Sequence, residues 1–387
     1  MMKKMLILLL TAMLLPAALP GSVSAEETLT GLTAAEIVAR MGLGWNLGNT
    51  FDATGGSKKD VYSQEQSWGN PKVDAALIKR VKAAGFQTIR IPVTWYRQLS
   101  SDGTYNINPA FLARVKEVVD MAYAEGLFVI INLHHEKWIN DRNLDTKYEK
   151  IGEELAAVWG QIAEAFADYD QHLIFEGMNE PRMQGSADEW NGTRAGYDAV
   201  NYLNQVFVNT IRTDAKGYNG ERALMIPGYA ASSSSSVMAA IEIPRWNGAQ
   251  AENIIISVHS YTPYDFCLSD TQVNFNRLYS SHTTPIDMIF YSLKGLFLNN
   301  GIPVVIGETS ATNKDNTKAR EQWAYYMGMK AATYGIPICI WDNGYNGNSG
   351  GESHSWINRR SDENPHPTVL EALFEGAASV EWGYASK

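Results

Sequence analysis

The chain has 387 residues, 45% apolar and 11% aromatic, with 42 acidic against 32 basic side chains and a formal net charge of −10. An acidic chain without a basic cluster is a poor match for nucleic acid or an anionic membrane, so a neutral partner is expected. Its cysteines, Cys267 and Cys339, show no CxxC or Cys/His spacing for zinc; Cys339 sits in an apolar run, which favours buried free thiols over the disulfide a secreted chain would allow.

In chain order, residues 1–25 read as a secretory signal. Lys3 and Lys4 give a positive start, Leu6 to Leu15 an apolar run, and Val23-Ser24-Ala25 a small-residue cleavage site. The run is shorter than the roughly 20 residues of a membrane span, and Pro16 follows it. Residues 26–387 then form the expected catalytic domain, secreted, soluble and monomeric. No linker, repeat or low-complexity tail marks a second module.

Short apolar, β-branched runs alternate with segments of helical period. Leu43–Leu47 precedes a helix over 74–84, Thr88–Val93 one over 109–125, and Phe128–Leu133 one over 148–169. Leu173–Met178 precedes a helix over 197–214, and Ala223–Ile226 a short helix near Val237. Ile254–Val258 precedes 286–299, Pro303–Ile306 precedes 318–334, and Ile336–Trp341 leads to a last helix over 367–377. Gly85, Gly126, Gly301 and Gly335 each stand just before the next strand, where a left-handed helix end favours glycine. The strands are near-continuous apolar runs, as in a parallel sheet covered on both faces. The fold class expected is α/β, a single (β/α)8 TIM barrel. A doubly wound open sheet would need a GxGxxG turn opening into a helix, and Gly42, Gly44 and Gly48 do not supply it.

Function in such a barrel sits where the strands end. The residues there are Asn46; Arg90 and Trp95; His134 and His135; Asn179, Glu180 and Pro181; His259, Ser260 and Tyr261; Glu308; and Trp341. Folding does not require Glu180 and Glu308 at these positions. Glycoside hydrolysis does require such a pair, one carboxyl to give a proton and one carboxylate to attack, about 5–5.5 Å apart in retaining enzymes. Desolvation or a negative neighbour is expected to keep one of them protonated. Arg90 is a candidate to keep Glu308 ionised, Tyr261 to orient it, and Asn179 to bind the sugar 2-OH. Glu176, four residues before Glu180, is expected about 13 Å below the mouth as a paired structural acid. His134 and His135, as consecutive strand residues, are expected on opposite faces, which argues against a shared metal. His134 and His259 are expected as neutral hydrogen-bond partners of sugar hydroxyls or of the carboxyls. Trp45, Trp68, Trp95, Trp138, Trp190 and Trp341 fall in loops or at strand ends, where rings stack on sugar faces. Trp356 is a further candidate sugar platform on the segment 344–356. No GxSxG elbow supports a serine triad.

Trp45-Asn46-Leu47-Gly48-Asn49, Ile89-Arg90-Ile91-Pro92-Val93, Leu133-His134-His135, Asn179-Glu180-Pro181, Val258-His259-Ser260-Tyr261, Gly307-Glu308 and Trp341 together resemble glycoside hydrolase family 5, the cellulase family. The resemblance runs from Gly42 to Trp341. It implies retaining hydrolysis with Glu180 as acid/base and Glu308 as nucleophile. Around them it implies Arg90, His134, Asn179, His259, Tyr261 and Trp341, with no cofactor and no catalytic metal. The opening residues, with Trp68-Gly69-Asn70-Pro71, look like the bacterial endoglucanase branch, which also holds xyloglucanases and lichenases. A secreted endo-β-1,4-glucanase acting on a β-glucan is the expected function. Xyloglucanase, lichenase or β-mannanase activity with the same residues, or a catalytically silent sugar-binding barrel, are the alternatives.

Overall fold

The computed structural model describes residues 28–213, 215–269, 271–347 and 352–383. The expected signal segment, 1–25, lies outside them.

Eight parallel strands close into a barrel in sequential order. They are β1 (Gly44–Leu47), β2 (Thr88–Ile91), β3 (Phe128–Asn132), β4 (Leu173–Glu176), β5 (Leu224–Ser232), β6 (Ile254–His259), β7 (Val304–Thr309) and β8 (Ile338–Asp342). Each is buried on both faces apart from the last residue of β5, which explains the unbroken apolar runs. β1 closes the ring, pairing Gly44 with Thr88 on one side and Cys339 on the other. Cys339 and Cys267 are both buried free thiols, as expected.

The major helices fall at Ala75–Ala83, Pro109–Ala124, Leu144–Ala165, Arg194–Thr213, Ser280–Leu296, Thr317–Tyr334 and Pro367–Ala378. Several begin earlier than the apolar period suggests. Their first turns, apart from the buried Leu144, are largely polar, so the apolar period does not mark them. Gly335 ends the seventh-unit helix at φ 65°, the left-handed conformation expected of it. β5 runs on to Ser232, beyond the apolar run. Ala230 and Ala231 near its end hold φ of 53° and 46°, a conformation that alanine rarely adopts. There Ala230 N donates to Pro181 O at 2.9 Å, bracing the loop that carries Glu180.

One further helix, Ala34–Met41, precedes β1. Thr33 and Glu36 form a reciprocal capping box at its start. Its buried face, Ile37, Val38 and Met41, packs with the inward side chains Ile130, Ile174, Met225, Ile255, Val305 and Cys339. This helix seals the barrel end away from the strand C-termini. The larger core lies between the strands and the outer helices.

Candidate active site

Arg90 organises the site. It extends from β2 and is fully buried. Nε donates to Glu176 Oε2 at 2.7 Å, and Nη1 to Asn46 Oδ1 at 2.9 Å and Glu308 Oε1 at 2.8 Å. Nη2 donates to Asn179 Oδ1 at 2.7 Å. Burial opposes its charge, but Glu176 and Glu308 more than compensate and raise its pKa. Asn46 is held in turn by Gly307 O and Cys339 O, at 2.9 and 3.2 Å.

Glu308, from β7, is 5% exposed. Besides Arg90 it accepts from the Tyr261 hydroxyl at 2.9 Å. Burial, then Glu308, pushes the Tyr261 pKa well up, so the phenol keeps the proton it donates. His259 Nδ1 lies 2.9 Å from Glu180 Oε1 and 3.6 Å from Glu308 Oε2. Arg182 Nη1 stands 3.4 Å from the other Glu180 oxygen, and its guanidinium covers the Trp190 ring at 4.5 Å. One oxygen from each carboxylate and one His259 nitrogen all lie within 4.8 Å of one another.

The electrostatics of Glu180 depart from expectation. Burial raises its pKa, but the hydrogen bond and charge of His259, then Arg182, win and hold it below the ordinary value. Burial lowers His259, yet Glu308 and Glu180 outweigh it and raise the imidazole above 6.5. The free site therefore favours a carboxylate–imidazolium pair, not a protonated Glu180. The expectation considered burial and negative neighbours and left out the cation 2.9 Å away. His259 is accordingly not the neutral partner expected of it. His134 is: burial, then His135 and Arg90, lower its pKa well below 6.5.

The pairing of His134 and His135 also needs correction. β3 ends at Asn132, so both histidines lie beyond the strand and alternation no longer governs them. Their rings meet edge to face at 4.4 Å. Trp341 stacks on His134 at 5.8 Å with 5° between planes, and Trp68 lies 5.8 Å from His135. Together these rings form a continuous aromatic wall beside Glu308. His134, His135 and Asp52 offer ligand atoms within 4.8 Å of one another, a grouping the expected alternation had ruled out. Asp52 accepts from the backbone N–H of Asn49 and Thr50, and His134 Nδ1 faces the donating amide of Asn132.

Glu176 is a paired structural acid, as expected, but it does not lie deep. The Arg90 guanidinium alone separates it from Glu308, because the chain leaves the strand after Glu176 instead of climbing at full extension. Asn132 Nδ2 and Ser257 Oγ also donate to it, at 2.9 and 2.7 Å.

The tryptophans divide. Trp68 and Trp190 are exposed by 41% and 58% on the loops after β1 and β4. Trp45, Trp95 and Trp356 are fully buried, and Trp356 is not a sugar platform. Its indole N–H bonds Ser310 Oγ, and its backbone N–H bonds Asp342 Oδ2. Trp138 is partly buried, its N–H held by Glu136 Oε2 at 2.9 Å. Sequence reasoning missed Asn132, Arg182, Glu136 and Asp342 as supports of the site. Arg182 had a legible signal, following Asn179-Glu180-Pro181 directly.

A parallel barrel whose C-terminal mouth holds two carboxylates at this spacing, beside aromatic walls, is a glycoside hydrolase. The model of the cellulase family, glycosyl hydrolase family 5, matches residues 48–347, and the chain belongs to that family. It is 41% identical over 359 residues to endoglucanase B of Ruminococcus albus, covering 92% of this chain and 83% of that protein. It is 39% identical to endoglucanase B of Neocallimastix patriciarum, covering 95% and 76%. Among solved structures it is similar to a GH5-4 broad specificity endoglucanase from Ruminococcus flavefaciens, with TM-score 0.84, 41% identity and coverage of 90% and 99%. A broad specificity endoglucanase of the same kind from Ruminococcus champanellensis, with bound cellotriose, matches with TM-score 0.82, 36% identity and coverage of 88% and 98%.

Proposed function

We propose that the protein is an exported endo-β-1,4-glucanase that cleaves internal glucan bonds by retaining double displacement. Glu308 is the nucleophile and Glu180 the acid/base. The observation that carries this reading is the closeness of the two carboxylates, an oxygen of one lying within 4.8 Å of an oxygen of the other. An inverting enzyme needs about 6.5–9.5 Å between carboxyl groups to admit a water.

The roles follow from the surroundings. Arg90 and Tyr261 hold and aim the Glu308 oxygens, so one attacks the anomeric carbon as the glycosidic C–O bond breaks. Glu180 gives the leaving oxygen its proton, then takes one from the water that opens the glycosyl ester. That proton is stored in the Glu180–His259 pair. A glycan laid across the cleft withdraws water from the pair. This favours neutral carboxyl plus neutral imidazole over two charges. The Asn179 carbonyl is taken by Arg90, leaving its amide to donate to the sugar 2-OH. His134, His135 and Trp341 supply the wall against which the glycone packs, and Asn46 fixes Arg90. Exposed Trp68 and Trp190 on separate loops suit an open cleft that a polymer crosses. The broad-specificity neighbours support action on more than one β-glucan.

The test is reducing-sugar release from carboxymethylcellulose, mixed-linkage β-glucan, xyloglucan, xylan and mannan, with the first-formed anomer read by proton NMR. Release from glucans as the β-anomer is expected. Glu308→Gln should lose more than about 10³-fold in kcat while still binding cello-oligosaccharides. Wild-type turnover in that variant rejects the nucleophile. An α-anomer formed first rejects retention. Binding without release from any polymer favours the silent barrel.

A further inference from the structure

On the helix that follows β7 stands a buried cation with no carboxylate paired to it among the described residues. Arg320 lies in the first turns of the helix Thr317–Tyr334 and is fully buried. Nε donates to Ala311 O at 3.1 Å, but Nη1 and Nη2 have no hydrogen-bond partner. Among the described residues no carboxylate pairs with it, and burial alone pulls its pKa down to about 10. An unpaired buried guanidinium is costly in a protein interior, so its retention calls for a partner.

The neighbouring groups identify the partner by charge. His354 is also fully buried, and its Nε2 has no partner either. Its Nδ1 lies 2.9 Å from Ser310 Oγ. The Trp356 indole, which can only donate, fills a lone pair of that oxygen at 3.0 Å. Ser310 has no other acceptor for its hydroxyl proton among the contacts described, so it donates to Nδ1. The imidazole hydrogen then sits on Nε2, a third donor without an acceptor. The charges acting on His354 are those of Arg320 and Lys314, both positive. The Trp356 ring lies 5.8 Å from the Arg320 guanidinium and screens the group from water. The helix N-terminus adds its partial positive charge.

We propose that Arg320 and His354 form a buried binding site for a small monovalent anion, of which chloride is the physiological example. Arg320 Nη1 and Nη2 and His354 Nε2 are its donors. A monatomic ion suits the site, because it can accept from N–H groups without needing donors of its own. The site adjoins the catalytic apparatus. The His354 ring lies 6.2 Å from that of Tyr261, whose hydroxyl holds Glu308, and Ser310 follows Glu308 by two residues. Anion binding therefore stabilises the wall behind the nucleophile as well as the fold.

The test uses the full chain and bromide as probe. Crystals grown in sodium bromide should show an anomalous peak against Arg320 Nη1, Nη2 and His354 Nε2. In solution, bromide or chloride should raise Tm saturably by about 2 °C or more over sodium gluconate at equal ionic strength. Arg320→Met should abolish that increment while both salts still screen it equally. If Arg320→Met does not fold, the wild-type crystal and titration still decide. No bromide peak at Arg320, or a Tm that follows ionic strength irrespective of the anion, means that water alone serves these donors and overturns the proposal.

Discussion

Arg90 brings one planar group to a point where four side chains from three other strand ends converge. Its buried pair with Glu176 is therefore a condition of the site and not an ornament of the core. Glu176→Ala should cost about 3–5 kcal/mol in urea unfolding, because a buried guanidinium loses its counter-charge. A loss under 1 kcal/mol would show that the pair is dispensable. The Glu180–His259 pair governs pH dependence. His259 is raised above 6.5, so the shared proton is retained through that pH and lost only as pH rises through the elevated value. The basic limb of kcat/KM should therefore lie above pH 6.5. In His259→Gln the proton rests on Glu180 alone, and the limb should move to lower pH. An unmoved limb separates His259 from the proton. At this scale the facing pair of carboxyls was legible, since each ends a strand in a short polar motif. The tryptophans were not. A Trp after a strand faces the cleft or the helices according to backbone direction, which composition does not encode. Trp68 and Trp356 took opposite courses.

Among the elements, the βα alternation was legible because strands buried on both faces leave unbroken apolar runs. The plug helix Ala34–Met41 was missed, although Thr33 and Glu36 carried its capping box in plain view. It belongs to no βα unit, so the repeat did not call for it. The close crossing of Thr317–Tyr334 and Pro367–Ala378 was equally hidden. A Cβ on Gly328 would stand 2.1 Å from Leu373 O, and one on Gly376 2.0 Å from Tyr325 O. Glycine within a helix costs about 1 kcal/mol against alanine, and here it permits backbone contact. Gly328→Val should thus destabilise the fold by about 1–3 kcal/mol or more through overpacking, read as a lower urea midpoint. The kcat of the folded fraction should be unchanged. A variant as stable as wild type would mean that the helices separate freely.

As a whole molecule, the enzyme draws its site from most of its length. Asn46 lies on β1 and Trp341 on β8. Sequential closure leaves no sheet edge, so no part of the barrel can open without breaking a ladder. Activity and far-UV ellipticity should therefore be lost in one coincident urea transition. Loss of activity well before ellipticity would locate the site on a separately unfolding unit. The wide shape of the site was legible from the order of its motifs. Its charge state was not, because that depends on which cation stands beside which acid across the mouth.

The β1–β8 seam has a consequence for the order of events during synthesis. Gly44 emerges from the ribosome well before its partner Cys339. Until then β1 exposes one unpaired row of N–H and C=O groups, and the plug helix beneath it has an incomplete floor to cover. The nascent chain carries an adhesive edge until β8 has been made. Its last ladder is thus the step at which a chain able to pair with its neighbours becomes one that pairs only with itself.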